Sequence, residues 1–164
     1  AATVNVALPE YGNRTPVQTI SSVWDVTMTH ALTGHRDTIQ LDTLVDFNTL
    51  PLPALRHFTG TIDYSTSIDI ADPTAITILD AGTTHNGITE LFINGTPAGV
   101  KWYGNRIFNI SGLLKPGVNE ITIRVTTTLG NYCKSLCTSN PFTPPGTKNH
   151  PPLPLGLEGP ITLY

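Results

Sequence analysis

The sequence predicts an all-β protein built as a β-sandwich or jelly roll. Three observations carry that prediction. Apolar and polar residues alternate at period two through several runs rich in Val, Ile and Thr. Short turns rich in Gly, Pro, Asn and Asp separate those runs. Each helical reading fails on its β-branched content, because stiff χ1 torsions favour a pleated surface. Composition agrees: charged residues are only 13 % of the chain, beside 14 Gly and 14 Pro, which suits strands and turns better than solvated helices. A length of 164 residues allows one domain with one core.

Residues 1–22 carry Pro9, Gly12, Pro16 and Ser21-Ser22 and read as an extended lead-in or linker, with a short strand at 3–7. Regular alternation starts at Val23. "VWDVTMTH" puts Trp24, Val26, Met28 and His30 on one face. "LTGHRD" is a turn, and "DTIQLDTLVDF" carries Ile39 and Leu41 at period two. "LPLPALRHF" is interrupted by prolines and reads as a loop. "FTGTIDYSTSIDI" is the cleanest strand, with Gly60, Ile62, Tyr64, Thr66, Ile68 and Ile70 in one phase. "AITILDA" is another. "ELFINGTPAGVKWYG" is a hairpin around Asn94-Gly95, the pair that a type I′ turn demands. "NISGLLKPG" reads as a helical turn or tight loop, and "VNEITIRVTTT" as a strand with Ile121, Ile123 and Val125 inward. From Leu129 to Pro160 the pattern gives way to an irregular Pro- and Gly-rich segment, and "ITLY" returns as a last strand.

The charge balance is nine basic against twelve acidic residues, a net charge of -3, with no basic run. Nucleic acid and anionic membrane are therefore not expected partners. The apolar runs are too short for a membrane span, and the N-terminus lacks a basic-plus-apolar leader; any leader is expected to have been removed. Asn13, Asn94 and Asn109 each open an N-glycosylation acceptor pattern, which points to a secreted protein. Cys133 and Cys137 are the two cysteines. A disulfide closing a small ring is expected, in keeping with an oxidising compartment. Two free thiols or half of a metal site are the alternatives, and no further ligands sit at a metal-site spacing.

Residues 23–164 resemble, as a set of spaced motifs, the galactose-binding-like β-sandwich accessory domain of family 2 glycoside hydrolases. The residues that carry the resemblance are Phe58, Gly60 and Tyr64; Leu79, Asp80 and Gly82; Asn94-Gly95; Gly99, Trp102 and Tyr103; and Asn109-Ile110-Ser111, Leu114, Gly117 and Asn119. "PLGLEGPITL" and "VWDVTM" are similar to the close and the opening of C-terminal domains in rhamnosidase-like enzymes. Asn109 stands where the family has Asp, and the Leu129–Pro152 segment is longer than in relatives. The resemblance implies a single galactose-binding-like domain over 23–164 that is not itself catalytic. It also implies a structural calcium ion as a possible cofactor, for which Asp42, Asp46 and Asp63 are the candidate oxygen donors.

The residues agree on catalysis. No Gly-x-Ser-x-Gly, His-Glu-x-x-His or phosphate loop is present, and no motif places the two facing carboxylates that glycoside hydrolysis needs. No catalytic residue is expected. Sugar recognition needs an aromatic face against the C–H side of a ring, with polar groups on the hydroxyls. Trp102, Tyr103, Asn105 and Arg106 offer that set in consecutive positions, and Tyr132 is a second candidate. In "GVKWYG", Val100 shares a strand face with Trp102, so Trp102 either continues the core or leaves it with the loop. Arg106 has a bland alternative, an ion pair with Glu90 or Asp80.

Three functional readings follow. The chain is a carbohydrate-binding module of a secreted enzyme, a structural domain packed on a glycoside hydrolase catalytic domain, or a fragment that completes such a cleft. Carbohydrate and a parent catalytic domain are the expected partners. A module shows an exposed aromatic platform, and a packing domain shows a broad apolar patch.

Overall fold

A computed structural model describes residues 14–138 and 151–164. The strand expected at 3–7, the acceptor Asn13 and residues 139–150 of the Pro-rich segment lie outside them. Twelve strands are described: β1 (Gln18–Thr19), β2 (Trp24–His30), β3 (Arg36–Leu41), β4 (Gly60–Ile70), β5 (Ile78–Asp80), β6 (Thr83–His85), β7 (Gly87–Ile93), β8 (Thr96–Lys101), β9 (Ile107–Asn109), β10 (Gly117–Thr127), β11 (Gly156–Glu158) and β12 (Thr162–Leu163). One α-helix, α1 (Gly130–Thr138), follows β10.

The strands form an all-β sandwich. One antiparallel sheet runs β3-β2-β4-β10-β7-β8 and the other β1-β12-β5-β9, while β11 and β6 pair alone. The alternation in the sequence sets the inner faces. Ile62 and Tyr64 on β4, Ile121, Ile123 and Val125 on β10, and Leu91 and Ile93 on β7 are without solvent. Leu79, Phe108, Ile161 and Leu163 meet them from the other sheet, all at most 1 % exposed. Trp24, Val26 and Met28 bury the predicted face of β2. Burying each such side chain contributes about 1.5–3 kcal/mol, which is what holds two half-wet sheets together.

Two motif residues have physical explanations. Gly60 brings β4 against the end of β2: a Cβ there would stand 2.0 Å from the Thr29 carbonyl oxygen. Asn119 is fully buried and acts as a backbone substitute. Its Nδ2 donates to the carbonyls of Lys115 (2.7 Å) and Gly117 (2.8 Å), and its Oδ1 accepts from Lys115 N and Asn94 Nδ2, each at 2.9 Å. Every polar atom is thereby satisfied inside the core.

Several expectations need correction. Gln18–Thr19 pairs with β12 and Ile20 is 7 % exposed, so the sandwich begins inside the segment read as a lead-in. The Pro-interrupted loop contains a 3-10 turn, Pro53–His57, and a second one, Phe47–Thr49, precedes it. The start of the irregular segment is helical. Gly, Asn, Tyr, Cys and Ser are modest helix formers, so tertiary contacts decide. Asn131 on α1 exchanges two bonds with the Leu153 backbone: Nδ2 donates to its carbonyl and Oδ1 accepts from its N–H, both at 2.8 Å.

The expected disulfide is absent: Cys133 and Cys137 are not bridged. Both lie on α1, and side chains four apart on a helix hold their Cβ atoms about 5–6 Å apart, whereas a disulfide needs about 3.5–4.5 Å. The calcium donors are not assembled either. Asp46 Oδ1 caps the first 3-10 turn and accepts from Leu155 N (2.9 Å), and Asp63 holds Arg124 at 2.6 and 3.0 Å. Asp42 is exposed, and no group of three metal-ligating side chains occurs among the described residues.

Candidate functional site

The hairpin β7–β8 positions the aromatic pair. Asn94 (φ 52°) and Gly95 (φ 76°) take the left-handed conformations of the predicted turn. The Asn94 side chain braces it, donating to Asn119 Oδ1 and Leu113 O and accepting from Glu120 N (3.1 Å). Beyond the turn the register shifts: Phe92 faces Pro97, but Leu91 faces Gly99, leaving Ala98 as an extra residue in a bulge. That shift reverses the expected phase of β8. Gly99 lies over the Phe108 ring on the inside, and Val100 points out, 58 % exposed.

Trp102 and Tyr103 then leave the sheet. They are 76 % and 81 % exposed, so Trp102 does not continue the core. Their rings sit 6.0 Å apart at 46°, two tilted faces open to solvent. The chain is pinned immediately afterwards by Arg106, which is 8 % exposed. Its Nε donates to Thr89 Oγ1 (3.0 Å), and its terminal nitrogens donate to the carbonyls of Gly104 and of Gly87 (3.2 Å). It takes a hydroxyl and two carbonyls rather than the carboxylate of Glu90 or Asp80.

The result is an open recess of about 300 Å³. Trp102 to Arg106 form one wall, and Gly82, Thr83 and Thr84 the other. Four of the five sequence-derived candidates thus meet in one place. Sequence spacing does not mark Thr83 and Thr84 as site residues; the nearest signal is Gly82, next in the chain, in the Leu79-Asp80-x-Gly82 motif. Thr84 is itself fixed, since its Oγ1 accepts from Thr89 Oγ1 (2.8 Å), which also receives Arg106.

Tyr132 lies elsewhere. Its ring meets His30 edge-on at 5.7 Å, and His30 meets Phe58 at 5.9 Å, so it closes the sandwich end over β2 and β4. The strand order places β8 three to four strand spacings away, about 15–20 Å. His57 contacts Asn131 O, and His85 contacts Glu158 at 2.9 Å. Of the described glycosylation acceptors, Asn94 is engaged at the hairpin, and Asn109 is exposed on β9.

No family model and no curated protein matches the chain. Solved structures do. The sandwich is first of all similar to single segments of glycoside hydrolases. A rhamnosidase from Novosphingobium sp. PP1Y matches 99 % of this chain at TM-score 0.78 and 25 % identity. β-D-Glucuronidases from Dictyoglomus thermophilum and Ruminococcus gnavus each match 67 % at TM-score 0.55, with 23 % and 16 % identity, which speaks to the fold. The chain spans only 16 % of that rhamnosidase and 19 % and 22 % of those glucuronidases.

Proposed function

We propose that this chain is a non-catalytic, carbohydrate-binding accessory domain of a secreted glycoside hydrolase, with the galactose-binding-like form of the sandwich. The observation that carries the reading is the exposure of Trp102 and Tyr103, 76 % and 81 %, beside a recess lined by hydroxyls and an amide. Two large apolar faces left in water mark a surface that another molecule covers, and a sugar ring offers the matching C–H face. Asn105, Thr83 and Thr84 supply donors and acceptors for its hydroxyls. The structural likeness to short segments of larger hydrolases supports the accessory role.

A second reading, a domain packed on a catalytic neighbour, draws on a different place. Cys133, Cys137, Leu153 and the prolines 151, 152 and 154 line an apolar hollow of about 560 Å³ beside α1. A glycan array on the 164-residue chain separates the two. Retention of a glycan by the chain, lost in Trp102→Ala and Tyr103→Ala, is the expected result. Retention of none, with the fold intact by circular dichroism, refutes binding and favours the packing domain.

A further inference from the structure

Arg106 is a buried cation with no counter-ion among the described residues. Its three acceptors, Thr89 Oγ1 and the carbonyls of Gly104 and Gly87, are all neutral. No described carboxylate pairs with it. The acids of the flanking elements are committed elsewhere. Asp80 Oδ1 accepts from Gly82 N (3.0 Å), Glu158 binds His85, and Glu90 lies opposite Val100 on the outward phase of β7. Lys101, directly across from Thr89, adds a second cation on the inner phase of the hairpin, and it too has no described carboxylate partner.

Burying a cation among neutral acceptors is costly unless an anion compensates it. A guanidinium also has more donors than these three bonds use, and its planar fork fits a carboxylate. Arg106 forms part of the wall of the recess next to Trp102 and Tyr103. We infer that the recess selects sugars that carry a carboxylate, uronic acid residues, with the ring against an exposed aromatic face and the carboxylate on Arg106. This rests on the sugar-binding reading and adds the class of sugar to it.

The test is calorimetric titration of the unaltered 164-residue chain with three probes: a galacturonic acid trimer, a galactose trimer and a sulfated galactose trimer. A charge-assisted bond predicts the acid trimer to bind at least about tenfold tighter than the neutral one, weakening as salt rises. Arg106→Gln, if folded, brings the acid trimer to the level of the neutral trimer. Should that variant fail to fold, the three-probe comparison still decides. Equal or tighter binding of the neutral trimer overturns the inference and leaves sugar binding standing. Tightest binding of the sulfated trimer overturns selection for a carboxylate. Acid-trimer binding that survives Trp102→Ala together with Tyr103→Ala overturns the site. Binding of none of the three, alongside an array that retains nothing, removes the sugar-binding reading itself.

Discussion

The hydroxyl of Tyr64 accepts a hydrogen bond from Leu157 N (3.0 Å) at a position with no solvent exposure. Gly156 makes the approach possible: its φ is +100°, and a Cβ there would stand 2.6 Å from that hydroxyl. Burial drives the phenol far above its ordinary pKa, outweighing the bond from Leu157, which acts in the opposite direction. The unfolded phenol titrates near about 10. Stability is therefore undiminished below that pH and falls as pH rises above it, because the unfolded chain releases a proton that the folded chain keeps. Urea unfolding between neutral and strongly alkaline pH should show the decline, and Tyr64→Phe should flatten it. At neutral pH Tyr64→Phe leaves Leu157 N–H buried and unpaired, a cost of about 1–3 kcal/mol. A Phe variant as stable as the parent, with the same alkaline slope, would remove Tyr64 from this role.

Elements differ in how far the sequence reveals them. The inward phases of β2, β4 and β10 follow from alternation alone, because each strand is long and one face is wet. On β8 the same logic misplaces Val100, since the bulge at Ala98 is set by pairing with β7 and leaves no local mark. It puts Trp102 beyond the last paired residue, and this is why the aromatic pair faces water. Arg106 is visible as a candidate in the sequence, but its bonds to Gly87 and Thr89 join segments 17 and 19 residues away, which spacing does not disclose. The helix α1 is hidden for a related reason. Its residues have weak propensity, and it is held by Asn131 on Leu153 and Tyr132 on His30. That helix decides the cysteine chemistry. Denatured without reductant, the chain should take up two iodoacetamide adducts by mass spectrometry. No adducts without reductant and two with it would restore the disulfide and rule out a helix across Cys133 and Cys137.

At the scale of the whole molecule, strands from opposite ends of the described chain, β1 and β12, pair in one sheet. β12 lies between β1 and β5, and Ile161 and Leu163 are 1 % and 0 % exposed. Backbone bonds run from Val17 N to Leu163 O and from Ile20 N to Ile161 O on one side, and from Thr77 N and Ile78 N to Tyr164 O on the other. Removing large buried side chains costs about 2–5 kcal/mol apiece, so losing Ile161 and Leu163 approaches the about 5–15 kcal/mol that holds a domain folded. Deletion of residues 161–164 should therefore abolish the cooperative thermal transition. Trp102→Ala touches an equally large side chain, but one that solvent already surrounds, and should shift stability by no more than about 0.5 kcal/mol. Melting both variants beside the parent by near-ultraviolet circular dichroism separates the residues that make the sandwich from those it presents. A cooperative transition in the truncated chain at the parent temperature would show that the sheet closes without β12. A large loss in Trp102→Ala would return that side chain to the core.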